Sequence, residues 1–249
     1  MKSESMEANF FRYFFQELGP VLVGKRVESV YEPSPGVLNL KFGSRLFLLI
    51  MPSKKKGAVF LASSKPDNPQ TPSTRAQWLR KRLQNRKISS YRIGWPKRKA
   101  AFRLSPGTGN WLLIDLQQGL DLVDDLGADF DQEPVWPQLE EILSRDRIYR
   151  EHPHLTPPLR KTLKALPSVD ARTLLSKLQD NAADTFSVSW NKGQVCRVLP
   201  WSIADTPIEE AEKTESFSEA LKAAERYGWS LFQEKIDPGP AIDLRRKQA

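Results

Sequence analysis

One cysteine, two histidines and no apolar run longer than the six residues Leu46–Met51 close several protein classes to this 249-residue chain. A bilayer-spanning helix needs about 20 apolar residues, so no segment is expected to cross a membrane. The lone Cys196 cannot form an intrachain disulfide, which excludes a disulfide scaffold and makes a reducing cytoplasm the simplest compartment. The first twenty residues include Glu4, Glu7, Arg12 and Glu17, and so lack the unbroken apolar core of a secretory signal. Metal chemistry is thinly supplied. His152 and His154 flank Pro153, with no Cys or carboxylate at ligand spacing beside them. There is no phosphate-cradling glycine loop, dinucleotide fingerprint or nucleophile elbow, and Cys196 lies in a β-prone run where a packing role suits it better than catalysis. Neither a cofactor nor an enzymatic activity is expected.

What the chain has is charge, unevenly placed. Lys and Arg total 38 against 30 Asp and Glu, a net +8, while 39% hydrophobic residues suffice for a core. Eleven of the basic residues lie between Arg75 and Arg103, a stretch with no carboxylate; without them the balance is 27 basic against 30 acidic. The opposite run follows at once. Between Arg103 and Arg145 there is no Lys or Arg, while Asp115, Asp121, Asp124, Asp125, Asp129 and Asp131 accumulate. A basic stripe of this density suits a polyanion, because Lys and Arg release the counterions condensed on phosphates. It also suits a solvated helix face, or docking on an acidic protein or on the chain's own acidic segment.

Residues Glu7 to Leu22 place Phe10, Phe11, Phe14, Phe15 and Leu18 at helical spacing, an amphipathic helix broken by Gly19-Pro20. Four short β-prone runs follow at Arg26–Tyr31, Val37–Phe42, Leu46–Met51 and Ala58–Ala62, read as a meander. A proline-stiffened loop ends at Ser73-Thr74, a cap for a helix through Arg86 with Ala76, Leu79 and Leu83 inward and Arg75, Arg82 and Arg86 on another face. Strands are expected at Ile88–Ile93, Ala100–Leu104 and Trp111–Leu116. Helices are expected at Gln138–Arg150, Pro157–Ala165 and Asp170–Leu178, then strands at Phe186–Trp190 and Gln194–Pro200. A last helix spans Ser216–Gln233, where Ser216 and Glu219 fit a capping box, and the tail is loose.

The opening helix followed by VGKRVESVYEPSPGVLNLKF and then LFLLIMPSKKKGAVFLASSKPDNPQTPSTRAQWLRKRL resembles the N-terminal domain of the NFACT family, also called FbpA-like or fibronectin-binding-like proteins. Its most specific part is Asn68-Pro69-Gln70-Thr71-Pro72 leading into Leu79-Arg80-Lys81-Arg82-Leu83, similar to the family's proline loop and basic helix. LRKTLKALPSVDARTLLSKL is similar to the helical insert that follows, and ESFSEALKAAERYGWSLFQEK resembles the segment preceding the family's coiled coil. The resemblance runs from about Met6 to Lys235. It implies an α+β fold: a two-sheet β domain flanked by helices, like the N-terminal domain of formamidopyrimidine DNA glycosylases, with a small all-α helix-hairpin insert. The corresponding division is 6–136 for the first part of the β domain, 137–184 for the helical unit, 185–235 for return strands and a C-terminal helix, and 236–249 for the tail.

Full-length relatives act in ribosome quality control, so the resemblance implies non-enzymatic binding of structured RNA in the cytoplasm. The implied partners are tRNA or ribosomal RNA, the large ribosomal subunit, and a separately encoded protein; no membrane is implied. The chain ends where the family's coiled coil and C-terminal RNA-binding domain begin, and is read as truncated. The family's Asp-Arg pair, which contacts tRNA, falls on Lys97-Arg98, a charge reversal at the first position. The expected nucleic-acid contacts are Arg75, Arg80, Lys81, Arg82, Arg86, Lys97 and Arg98, although successive helical residues turn by about 100°, so Arg80, Lys81 and Arg82 cannot all face one way. Trp78 and Trp95 are candidates either for base stacking or for the core. Two alternatives stand beside this reading: a protein-interaction module without RNA binding, and a glycosylase-like DNA binder without catalysis. The glycosylase nucleophile, an N-terminal proline, is supplied by neither Lys2 nor, for a start at Met6, Glu7.

Overall fold

A computed structural model describes residues 5–107, 109–202, 211 and 213–236. Helix α1 (Ala8–Leu22) is its centre. The spacing of its phenylalanines predicts one apolar stripe, yet eleven of its fifteen residues are buried, Asn9 and Arg12 among them. A helix buried on nearly all sides must have packing elements all round it. Phe10 and Tyr13 meet Phe186 at 5.7 and 5.5 Å between ring centroids, and Phe15 meets Phe102 at 6.1 Å. The helix starts on the Glu7 carboxylate, which accepts from the Phe10 amide at 2.9 Å.

Two four-stranded antiparallel sheets and one three-stranded sheet surround it, where two sheets were expected. The first is the anticipated meander β1 (Ser29–Ser34), β2 (Val37–Gly43), β3 (Leu46–Met51) and β4 (Ala58–Ala62). Helix α2 (Thr74–Leu83) then lies along β1, capped by the Ser73 hydroxyl, which accepts from the Ala76 amide and donates to Glu32 of β1. It stops at Leu83 instead of Arg86, because Asn85 turns into the left-handed region and Arg86 goes inside.

The second sheet is β5 (Lys87–Gly94), β6 (Lys99–Ser105), β7 (Trp111–Asp115) and β8 (Gly119–Val123). The last strand hides in the acidic run: Gly119 and Leu120 are buried, and Asp121 points to water. Helix α3 covers only Leu139–Ser144, with a separate 3-10 turn at Ile148–Arg150, in place of one helix over Gln138–Arg150. Helices α4 (Pro157–Ala165) and α5 (Ser168–Gln179) form the expected pair.

In the third sheet β9 (Phe186–Asn191) lies between β10 (Gln194–Leu199) and β11 (Lys213–Phe217). Ser216 is therefore a strand residue, and α6 (Ala220–Ile236) has its first amides capped by another helix. Glu17 of α1 accepts from Ala220 N and Leu221 N at 2.8 and 2.9 Å. Gly228 lets α6 approach β4 closely; a Cβ there would fall 2.1 Å from the Phe60 ring. Of the tail, residues 237–249 lie outside the described residues.

Candidate functional site

Helix α2 sorts its residues by spacing. Ala76, Leu79 and Leu83 are buried, and Arg80 turns with them: its guanidinium donates to Val30 O at 2.8 Å and lies 5.3 Å from the Tyr31 ring. Arg75, Trp78 and Arg82, three and four residues apart, share the outer face. Trp78 is 43% exposed and Arg82 stacks over it at 4.0 Å. Among the described residues none of the ion pairs involves Arg75, Lys81 or Arg82. Hollows flank Trp78 on both sides, one of about 640 Å³ reaching Lys81, Arg82 and Gly107, the other of about 400 Å³ reaching Arg75, Gly119 and Leu120.

The second hollow leads into a third. Asp115 and Gln118 line both it and a cleft of about 660 Å³ bordered by Lys54, Lys55, Lys97, Arg98 and Tyr149. One end of the cleft is the 3-10 turn Trp95–Lys97, anchored by its tryptophan. Trp95 is 3% exposed, with Arg12 4.9 Å from its ring, Trp136 at 6.2 Å and His154 at 5.7 Å between centroids. Burial pushes the His154 imidazole down to about 3, and neither of its ring nitrogens has a hydrogen-bond partner among the described residues. Glu7, also lining the cleft, is buried and raised by desolvation, although Thr156 Oγ1 at 2.6 Å, Asn9 Nδ2 at 2.9 Å and the Phe10 amide all donate to it.

Of the seven residues expected to act together, Arg75, Lys81, Arg82, Arg86, Lys97 and Arg98 line this chain of hollows, and Arg80 does not. Arg86 is 6% exposed and donates to Leu104 O and Gly107 O, so its charge is largely structural. Lys97 pairs with Asp129 at 3.5 Å, and the neighbouring Lys99 and Arg92 pair with Asp115 and Asp131 at 3.0 and 3.6 Å. Sequence reasoning missed Lys54, Lys55 and Tyr149; the run Lys54-Lys55-Lys56 was the available signal for the first two. No group of three or more His, Cys, Asp or Glu able to hold a metal occurs among the described residues.

No family model and no curated protein sequence matches the chain. Solved structures do, three of them as follows. The N-terminal part of the fibronectin/fibrinogen-binding protein from Streptococcus suis is 18% identical, with 90% of this chain and 99% of that one covered and a TM-score of 0.53. The fibrinogen binding protein from Staphylococcus aureus is 12% identical over 89% and 98%, with a TM-score of 0.56. The N-terminal domain of the fibronectin-binding protein PavA from Streptococcus pneumoniae is 19% identical over 90% and 98%, at 0.40. The fold is that of the first two, the FbpA-like type.

These likenesses correct the functional expectation. These two proteins are named for binding fibronectin and fibrinogen, which are proteins, so the expected partners tRNA, ribosomal RNA and the large ribosomal subunit, and with them a role in translation or ribosome quality control, are withdrawn in favour of the protein-interaction alternative. The geometry supplies a physical reason. Asp115, Asp121 and Asp124 line the same hollows as the cations, and Asp129 and Asp131 neutralise Lys97 and Arg92, so the basic stretch does not fold into the continuous stripe of unpaired cations that a phosphate backbone tracks. The expected cytoplasmic placement is withdrawn as well, since it rested on the translation role and the matched proteins are named for binding fibronectin and fibrinogen. A single buried cysteine reports packing in any compartment. Among the described residues no helix is long and apolar enough to cross a membrane.

Proposed function

We propose that this chain is a non-enzymatic protein-binding domain whose α2 face docks on an acidic surface of a partner of the fibrinogen or fibronectin kind. The observation that carries this reading is the Trp78–Arg82 stack, exposed between two hollows and flanked by Arg75 and Lys81 without ion pairs. Tryptophan and arginine dominate the energetic centres of protein interfaces, because each buries a large rigid area and offers directed donors. A flat cation cluster would serve solubility alone; an aromatic anchor between concavities gives a partner something to fit. A kinship with the NFACT N-terminal domain, and with a glycosylase-type core, is part of the same proposal and rests on the sequence strings and the order of elements.

The test is biolayer interferometry on immobilised fibrinogen and fibronectin, with ribonuclease present. Binding to at least one of them is expected, falling on the order of tenfold in a Trp78→Ala, Arg82→Ala double variant. No binding to either protein by the native chain, or equal binding by the variant, would remove the reading.

A further inference from the structure

Arg98 is the unusual residue of the cleft. Its backbone sits in the left-handed region at φ 53° and ψ 50°, held by its amide donating to Trp95 O and its carbonyl accepting from Leu116 N. Of the four non-glycine residues with positive φ among the described residues, two are asparagines, which tolerate that region, and Lys192 lies in the tight turn joining β9 and β10. An arginine in the same conformation carries strain that glycine would relieve, and strain of this kind collects at functional positions.

The side chain points to the same conclusion. Desolvation pulls the Arg98 guanidinium below the usual arginine range, which Glu7 and Asp115 oppose only through space. No hydrogen bond or ion pair engages it among the described residues. Both neighbouring carboxylates are already committed: Glu7 to Thr156, Asn9 and the start of α1, and Asp115 to Lys99 and the amides of Gln117 and Gln118. A desolvated cation without a partner is costly unless a ligand completes it.

Five cations (Lys54, Lys55, Lys97, Arg98 and Lys99) border the cleft with those two carboxylates; Lys97 is paired with Asp129 and Lys99 with Asp115, and Lys54, Lys55 and Arg98 remain against Glu7, so the cleft favours an anion. Its walls are rigid and apolar, built from Pro96, Pro153, Pro157, Pro158 and Tyr149. We propose that the cleft is a carboxylate-binding site in which Arg98 receives an acidic side chain from a protein segment. The fork of a guanidinium matches a carboxylate with two parallel hydrogen bonds, while Lys54 and Lys55 hold neighbouring acidic residues at the rim. A protein segment is the occupant because the cleft does not end at its own wall. Asp115 and Gln118 also line the hollow beside Trp78, so the two concavities adjoin and a protein segment seated by one acidic residue on Arg98 extends toward α2. The site rests on the protein-binding reading for its partner class, and on its own geometry for its chemistry.

Isothermal titration at fixed salt with a hexaglutamate peptide, and separately with glutarate, tests it. Asparagine suits the left-handed backbone, so Arg98→Asn is expected to fold, with a thermal midpoint at or above that of the native chain. It should weaken hexaglutamate binding on the order of tenfold. Arg98→Lys keeps the charge but loses the fork, and should also bind more weakly. Unchanged affinity in both variants would mean rim lysines alone and would overturn the site. Glutarate binding as tightly as hexaglutamate would assign the cleft to a small dicarboxylate, and an RNA oligonucleotide displacing the peptide at lower concentration would assign it to phosphate; either result overturns the proposal. A chain that holds hexaglutamate through Arg98 but binds neither fibrinogen nor fibronectin would keep this site and remove the broader reading.

Discussion

Helix α2 and the β5–β6 hairpin carry comparable positive charge and put it to opposite uses. On α2, Arg75, Lys81 and Arg82 are exposed residues without an acidic partner among the described residues, beside an exposed Trp78; Arg75 donates to Leu120 O and Arg82 stacks on the Trp78 ring. On the hairpin, Arg92, Lys97 and Lys99 each meet an aspartate from the acidic run that follows in sequence. Among the described residues no carboxylate pairs with Arg98 of the hairpin turn. Charge density along a chain therefore says little about the field at the surface. What decides it is which carboxylates the topology brings back, and here Asp115, Asp129 and Asp131 reach pairing distance of the hairpin, whereas Asp121 and Asp124 border the hollows beside α2 without pairing its cations.

If the hairpin is structural and α2 is a docking face, perturbing the first should cost stability and perturbing the second should cost binding. The largest effect is expected at the inner side of the hairpin turn, from acid. His154, packed against Trp95 and Trp136, has its pKa depressed to about 3 from 6.5. The folded state therefore binds fewer protons than the unfolded one between those values, and stability present above pH 6.5 is lost as pH falls toward 3. The full window is worth roughly 4–5 kcal/mol. His154→Phe removes the titrating group and both unpartnered nitrogens. Denaturant unfolding between pH 3.5 and 7 should show the variant gaining on the native protein steadily as acid is added; parallel curves would break the assignment.

Arg86 separates the two regions next. Although it belongs to the same basic stretch, it is buried and donates to Leu104 O and Gly107 O. Arg86→Ala is expected to cost about 2 kcal/mol of folding stability, the range for hydrogen bonds to a charged group, measured by urea unfolding. Fibrinogen or fibronectin affinity of the folded variant should be unchanged. Trp78→Ala should do the reverse: stability within about 0.5 kcal/mol, because half-exposed surface residues contribute little, and a loss of more than 1 kcal/mol in binding. A variant that loses stability and binding together would show Trp78 to be part of the core.

Much of the frame was legible because its signals are local. The four-strand meander, the α2 cap at Ser73 and the α4–α5 pair were each readable from alternation, a capping residue or a helical period. What escaped depended on distant partners. Strand β8 reads as acidic loop until β7 is laid beside it, and the start of α6 is fixed by Glu17, more than two hundred residues earlier, so Ser216 is left to pair in β11. The site divides in the same way. Amphipathic spacing put Arg75 and Arg82 together and ruled out a shared face for Arg80, Lys81 and Arg82. Docking of the basic stretch on the chain's own acidic segment stood among the sequence alternatives, but which pairs form, Lys97 with Asp129 and Arg92 with Asp131, and that Lys54 and Lys55 border the cleft of Arg98, depend on the folded topology.

The smallest expected effect bears most directly on the comparison, because it asks whether the hairpin's ion pairs matter in themselves. Arg92 and Asp131 approach to 3.6 Å with side chains 50% and 42% exposed, and Arg92 also lies 5.6 Å from the Trp111 ring. A pair that open to water gains little Coulomb energy and loses side-chain entropy, so a double-mutant cycle on Arg92→Ala and Asp131→Ala should return a coupling below about 0.5 kcal/mol. Asp131→Ala alone should then raise the cationic potential of the hairpin at almost no cost to folding, which makes it the cleanest way to convert one region into the other. If that variant binds fibrinogen more tightly than the native chain, the aspartates act as a mask over the hairpin. If binding does not change, the positive potential that a partner feels comes from α2 and the Arg98 cleft, as the unpaired cations there imply.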